Sequence, residues 1–263
     1  MSLEVLVSTM FQKDNPLVEK MNISSDVIIV NQCDIDESKT YFNNKNKVTF
    51  ITIRERGIGK SRNKCLELAR SKYSIFADDD IVYYDDYASK IINEFETINS
   101  ADVILFNFHN EDKNRAVKIN KVRKKINYFN CLRYGAVNIA IKTDAIKEKN
   151  IKFSLDFGGG TKHGSGEDSL FLIDCLKNGL NVYASTEVIG LIKKRQSTWF
   201  ESYNEKYFID KGALFYNISE KYAFLLCLQF VLRKYNIYKV DMSFLAAIKY
   251  LMKGIKIGRE EAL

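Results

Sequence analysis

Cysteine and histidine are too few and too scattered to organise this chain. Its 263 residues hold five cysteines, Cys33, Cys65, Cys131, Cys175 and Cys227, with no CxxC spacing, which excludes a sequence-encoded zinc site and a secreted disulfide framework. A reducing cytoplasm is expected. His109 and His163 lack metal-ligand spacing: His109 reads as structural, and His163 could line an acceptor site through its glycine-rich surroundings. Long apolar runs are also missing. The longest, Ala223 to Leu232, contains Gln229 and falls well short of the roughly 20 residues that span a bilayer. From Met1 into Val5–Thr9 there is no basic region followed by an apolar segment, so no signal peptide is expected. There is no internal repeat. Nor is there a dense basic stripe with a nucleic-acid reading module, so nucleic acid is not an expected partner. The net charge of +7 suits an anionic membrane surface or a diphosphate ligand.

What is present is a chain that can bury a large core, 46% hydrophobic and 13% aromatic, which rules out disorder. Short β-branched runs predict strands at Glu4–Thr9, Val27–Val30, Val48–Ile53, Tyr73–Ala77 and Asp102–Phe108, with helices at Ser61–Arg70 and Tyr87–Ile98. That alternation implies a mostly parallel sheet with crossover helices, which binds ligands at its strand carboxyl ends. Further on, Arg115–Lys125 reads as a solvated loop or short helix and Asn138–Ile141 as a strand. A helix from Glu167 to Asn178 stops at Gly179, and Val182–Tyr183 and Val188–Ile192 return to a sheet. From about Glu201 aromatic and basic residues follow helical periods, with helices at Tyr222–Arg233 and Ser243–Gly254. Their apolar faces suit packing on the rest of the chain or peripheral contact with a membrane.

Three segments carry chemistry. Asp78, Asp79 and Asp80 crowd the carboxyl end of a buried strand, which is costly unless a cation such as Mg²⁺ or Mn²⁺ neutralises them; an acidic turn capping a helix would need only one. Gly158, Gly159 and Gly160, then Gly164, Ser165 and Gly166, lead into Glu167 and Asp168, where helix capping and catalysis are equally served. Arg56–Arg62 joins a strand to a helix and could face phosphates. Gly59, Lys60 and Ser61 end like a Walker A loop, but Arg54 stands where that loop needs glycine.

In this order the segments resemble the family 2 glycosyltransferases, over roughly residues 3 to 200. Arg56–Asn63 is similar to the family's Gly-x-x-x-Ala-Arg-Asn helix start, with Ser61 in place of alanine. Phe76–Asp80 is similar to its DxD strand end, and Gly166–Asp168 to its Glu-Asp element, with Phe171 at a position the family often makes aromatic. The resemblance implies an α/β GT-A fold with a helical C-terminal extension: a catalytic domain over 1–200, split into nucleotide-sugar (1–108) and acceptor (109–200) halves, followed by 201–263.

It further implies an inverting, non-processive transferase moving one hexose-like sugar from a nucleotide-sugar donor, by family frequency a UDP-sugar, to a glycan or lipid-linked acceptor. The expected setting is bacterial surface polysaccharide synthesis. Asp80 would ligate the metal, and Asp78 would contact the ribose or bind the metal through water, with Asp79 between them. Ser8, Thr9, Met10, Gln32, Arg56, Arg62 and Gly159 join the donor-binding set, and Asp168 is the general base beside Glu167. Lys193–Arg195 serves as a phosphate clamp or as a solvated loop, and Trp199 as a stacking surface or packing. The polymerases' QxxRW motif is reduced to Gln196, Ser197, Thr198 and Trp199. A nucleotidyltransferase, or a non-catalytic module binding glycan or nucleic acid, remains as an alternative.

Overall fold

The computed structural model describes residues 2–12, 16–112, 119–194 and 202–262. They fall into two compact units, Met1–Phe153 with Phe171–Arg195, and Ser154–Leu170 with Gln196–Leu263.

The first unit is an α/β sheet. Strand β1 (Leu3–Met10) is followed by the short helix α1 (Leu17–Lys20), strands β2 (Asp26–Gln32), β3 (Glu37–Asn43) and β4 (Asn46–Ile53), and helix α2 (Ile58–Leu68). Next come β5 (Tyr73–Asp78), β6 (Ile81–Tyr83), α3 (Tyr87–Thr97), β7 (Val103–Asn110), the two-residue β8 (Lys124–Lys125), β9 (Ile139–Lys142) and α4 (Thr143–Glu148). Helix α5 (Glu167–Lys177), whose first turn is counted with the second unit, precedes β10 (Val182–Ile192).

The sheet runs β3-β4-β2-β1-β5-β9-β7-β10-β6, with β8 beside β10. Strands β1, β2, β4, β5, β7 and β10 share one direction, as the crossover pattern predicts, and β3, β6, β8 and β9 oppose them. The heart of the sheet is all but fully apolar: Val5, Leu6, Val7, Ile29, Val30, Ile75, Phe76 and Ala77 are at most 1% exposed, as befits parallel strands covered on both faces.

Several features depart from the sequence-based expectation, among them Lys124–Lys125, which pair as a short strand with β10 where a loop or short helix was expected. The 182–192 segment is one strand, not two. Ser185, Thr186 and Glu187 interrupt its apolar pattern, and the register against β7 shifts on either side of Val188, so polar residues are carried through as bulges. Strand β3 was not expected; it is an exposed edge strand joined to β4 through Asn44 in the left-handed region (φ 55°).

The second unit holds three helices, α6 (Glu205–Ile218), α7 (Ala223–Tyr238) and α8 (Phe244–Glu261), each packed on the other two. The last two extend beyond the helices predicted at Tyr222–Arg233 and Ser243–Gly254. Among the described residues no helix is long and apolar enough to cross a membrane. Helices α6 and α8 approach at backbone distance because glycines meet. A Cβ on Gly212 would lie 2.1 Å from the Leu251 carbonyl oxygen, and one on Gly254 would lie 2.0 Å from that of Ile209. The obstacle is rigid backbone, so the helices themselves must part. Gly254→Ala is therefore expected to destabilise by about 1–3 kcal/mol, read as a lower urea midpoint at unchanged slope, whereas exposed Lys256→Ala should fall within about 0.5 kcal/mol of the parent.

Candidate active site

In the first unit the carboxyl ends of three adjacent parallel strands bring the expected donor-binding residues together. Register sets Ser8 of β1 beside Asp78 of β5, and pairs Thr9 with Asn31 and Met10 with Gln32 of β2. Side chains then lock this edge. Asp79, the residue between the two supposed ligands, accepts hydrogen bonds from Thr9 Oγ1 at 2.5 Å and from Gln12 Nε2 at 3.4 Å. Asn31 exchanges two bonds of 3.0 Å with the Gln12 backbone. Asp78 Oδ1 accepts from the Arg62 guanidinium at 3.0 Å. Arg62 is only 4% exposed and lies over the Phe153 ring, so its charge is matched where water is scarce.

Two buried polar atoms at this edge have no partner among the described residues: Ser8 Oγ and Gln32 Oε1, on side chains 3% and 1% exposed. Leaving such atoms unmatched costs about 1–3 kcal/mol each. A ligand bearing a donor or acceptor would recover that cost.

Asp80 turns the chain from β5 into β6, and its carbonyl oxygen accepts from the Lys193 backbone at 2.8 Å. Asp78, Asp79 and Asp80 are all half-buried. Among the described residues no group of three or more His, Cys, Asp or Glu is gathered as a metal cage. One or two carboxylates, with substrate phosphates and water completing the shell, are what Mg²⁺ commonly takes, and Asp80 with Asp78 fits that donor set.

Arg56 is engaged elsewhere. It donates to the Cys33 and Arg54 carbonyl oxygens at 2.7 and 3.1 Å and to Asp34 at 2.5 Å, with its guanidinium over the Phe11 ring. It staples the loop that follows β2. Gly57 starts α2 at φ 115°, a conformation that side chains other than glycine's resist. Asn63 is structural, exchanging hydrogen bonds of 2.9 and 2.8 Å with the Phe153 backbone. In the basic cluster, Lys193 and the Lys194 backbone both bind Glu111, whose carboxyl is held below its ordinary range by the Lys194 amide first and the Lys193 ammonium second. Arg195, Gln196–Trp199 and residues 115–118 of the basic stretch lie outside the described residues.

Glu167 and Asp168 open α5 in the second unit. The Glu167 carboxylate accepts from the Gly166 amide at 3.0 Å, and Asp168 Oδ1 from the Ser169 amide at 2.6 Å, so both satisfy helix-start donors. Gly159 is half-buried in the turn between Gly158 and Gly160, which adopt φ 113° and 77°. Two residues that sequence reasoning passed over meet the turn before Glu167: Asp210 accepts from the Gly164 amide at 3.0 Å, and Lys211 Nζ donates to Ser165 Oγ at 3.1 Å. Nothing local signals them, because the contacts bridge more than 40 positions.

His163 is a buried node, stacked on Phe157 and held 3.0 Å from Asp210 and 3.0 Å from Glu261. Burial lowers its pKa, but the hydrogen bonds to Asp210 and Glu261 outweigh this and raise it above 6.5. For Asp210 and Glu261 burial acts upward and is outweighed by their partners, His163 and Lys206 for the first, Lys162 and His163 for the second, so both titrate below the usual range.

Comparison with known proteins follows the same division. Residues 20–147 match the family described as glycosyl transferase family 2, so the family resemblance carried by Arg56–Asn63 and Asp78–Asp80 is shown over that span. The match ends before Glu167 and Asp168. No curated protein sequence matches the chain. Among solved structures, S. aureus TarS 1–349 in complex with UDP-GlcNAc superposes with a TM-score of 0.66 at 15% identity, over 92% of this chain and 74% of that one. A longer S. aureus TarS structure gives 0.63 at 16% identity, with 45% of its length covered. The mannosyltransferase PcManGT from Pyrobaculum calidifontis, in complex with GDP-Man and Mn²⁺, gives 0.53 at 11% identity, over 98% and 75%. These likenesses establish the GT-A α/β fold.

The His163 node gives the second unit a pH signature. A raised histidine pKa stabilises fully below 6.5 and is lost as pH rises through the folded value; lowered carboxyl pKa values stabilise above about 4.5 and are lost as pH falls. Unfolding midpoints are therefore expected to be highest between about pH 4.5 and 6.5 and to decline on the alkaline side. His163→Gln should flatten that decline.

Proposed function

From this family 2 glycosyltransferase match, we propose that the chain transfers a single sugar from a nucleotide diphosphate sugar to a hydroxyl of a glycan or lipid-linked acceptor, with inversion. The observation that carries the reading is the pair of unmatched buried atoms, Ser8 Oγ and Gln32 Oε1, on strand ends that also present Asp78–Asp80. Gln32 Oε1 is placed to accept an N–H of the donor's base, uracil or another, and family frequency favours a UDP-sugar. Arg62 holds Asp78 in one orientation, and Thr9 with Gln12 does the same for Asp79, so this edge is organised before the donor arrives.

Asp80 and Asp78 would hold a Mg²⁺ or Mn²⁺ ion, which would supply positive charge to the departing diphosphate. Asp168 takes the proton of the acceptor hydroxyl; its oxygen bonds to the anomeric carbon as the bond to the diphosphate oxygen breaks, leaving a glycoside of opposite configuration and a nucleoside diphosphate. Glu167, bonded to the Gly166 amide, fixes the helix start that presents the base.

The test is a thermal-shift panel of nucleoside diphosphates and their sugars, with and without Mn²⁺. A ligand at 100-fold its dissociation constant stabilises by about 2.7 kcal/mol. UDP compounds are expected to shift the midpoint more in the presence of Mn²⁺, and Asp80→Ala to abolish that metal increment. Asp168→Asn should keep the shift but lose release of nucleoside diphosphate by at least about a hundredfold. Absence of any nucleotide shift from folded protein, or release of pyrophosphate instead of nucleoside diphosphate, would overturn the reading.

A peripheral site on an anionic membrane, at the inner face of the cell where surface polysaccharide is assembled, is supported by the second unit. Helix α7 leaves Phe224, Leu225, Leu232 and Tyr235 exposed, and Val240 and Leu245 follow at 88% and 78%. Between Lys221 and Arg259 stand eight basic residues and one acidic residue, Asp241, so the apolar side chains sit in a strongly positive field. That combination suits an anionic bilayer better than a neutral partner. The chain is expected to co-sediment with phosphatidylglycerol vesicles at low salt and several-fold less with phosphatidylcholine vesicles; Leu232→Asp should release it. Equal binding to both vesicle types would remove the membrane from the proposal.

A further inference from the structure

We propose that Lys211 is a positioning residue for sugar transfer: with Asp210 and Leu214 on one face of α6 it grips the turn that presents Asp168, and it supplies the cation beside which Asp168 works. The inference rests on Asp168 being the general base.

Three consecutive turn residues meet three residues of one helix. The Gly164 amide donates to Asp210 Oδ2 at 3.0 Å. Lys211 Nζ donates to Ser165 Oγ at 3.1 Å. Gly166 stands at φ 124°, where an added Cβ would lie 2.6 Å from Leu214 Cδ1. At about 3.6 residues per turn, positions i, i+1 and i+4 fall within an arc of about 100°, so a single turn of α6 holds the whole Gly164–Gly166 segment. The next residues are Glu167 and Asp168. A displaced α6 turn would therefore displace the base.

The charge at this point is unusual. Lys211 lies against the Tyr207 ring at 5.6 Å, and burial draws its pKa below the ordinary lysine value. Asp168, Glu167 and Asp210 push that pKa back up, in that order of strength, and Lys234 of α7 acts with burial. Of the three carboxylates Asp168 acts on Lys211 most strongly. A cation within about 4–6 Å moves a carboxyl's titration down by about one to three pH units. Lys211 thus brings to the segment that presents Asp168 a positive charge as well as a hydrogen bond.

The experiment follows the Asp168 carboxyl directly, by ¹³C NMR of aspartate-labelled full-length protein, with Asp168→Asn supplying the assignment. In Lys211→Met the Asp168 titration is expected to move up by about one pH unit or more, and in Lys211→Arg to stay near the parent. Should Lys211→Met fail to fold, the parent itself serves: Asp168 is expected to show a second, alkaline inflection as Lys211 loses its proton, absent in Lys211→Arg. An unmoved Asp168 titration, or no alkaline inflection, overturns the Lys211 role. Turnover separates the two readings. Using the nucleotide sugar that gives the largest thermal shift, Lys211→Met should lower kcat at least about tenfold at pH 6, leave donor KM unchanged, and be rescued by Lys211→Arg. Undiminished turnover by Asp168→Asn would instead sink the base assignment, while the NMR result would still decide whether Lys211 controls that carboxyl.

Discussion

A guanidinium that is 4% exposed cannot remain without a counter-charge, and this constraint organises the edge where β1, β2 and β5 end. Arg62 sits one turn into α2, and Asp78 ends β5; their 3.0 Å pair fixes the helix against the strand at the point where the chain turns into its acidic segment. The Phe153 ring shields the other side of the guanidinium, and Phe153 is itself held by Asn63, the next residue of α2. Phe76 and Phe171 meet Phe153 edge-on and stacked, respectively, so the ion pair rests on an aromatic floor. The Arg-Asn pair of the helix start is then two halves of one device. Arginine orients the carboxylate, and asparagine fastens the ring that keeps water from the arginine.

The central strands and their carboxyl-end residues were legible because parallel strands buried on both faces read as near-continuous apolar runs, as at Val5–Val7, Val27–Val30 and Ile75–Ala77. Strand β3 was illegible for the opposite reason. Its residues from Glu37 to Phe42 are exposed on both faces, so no alternation marks them, and only pairing with β4 makes them a strand. Bulges hid the continuity of Val182–Ile192, since Ser185 and Glu187 break the pattern from which a strand is inferred.

Site residues divide the same way. The Asp78–Asp80 cluster was visible as an electrostatic anomaly, three like charges at the end of an apolar strand. Sequence alone could not say that Asp79, the middle residue, takes hydrogen bonds from Thr9 and Gln12, or that Arg56 is spent on Asp34 and two carbonyls. Lys211 and Asp210 were hidden altogether. They lie in a helix of ordinary composition, and their importance comes from a turn more than 40 residues earlier. His163 was readable as special because of its glycine-rich setting, but sequence alone gave no sign of the two carboxylates, Asp210 and Glu261, between which it is held.

Both units place carboxylates where function needs exact orientation, and both meet the cost by giving each a fixed donor. Asp78 has Arg62; Asp79 has Thr9; Asp210 has His163, Lys206 and the Gly164 amide; Glu261 has Lys162 and His163. Donors held in place cost no reorganisation when a ligand arrives, which is the physical content of a preorganised site. The two sets differ in how they titrate. Arginine stays charged at every pH a cell meets, whereas a histidine and a lysine drawn below its usual range change charge with pH. The His163 node and Lys211 thus place groups whose charge changes with pH in the second unit, on the side chains that hold the turn leading into Glu167 and Asp168.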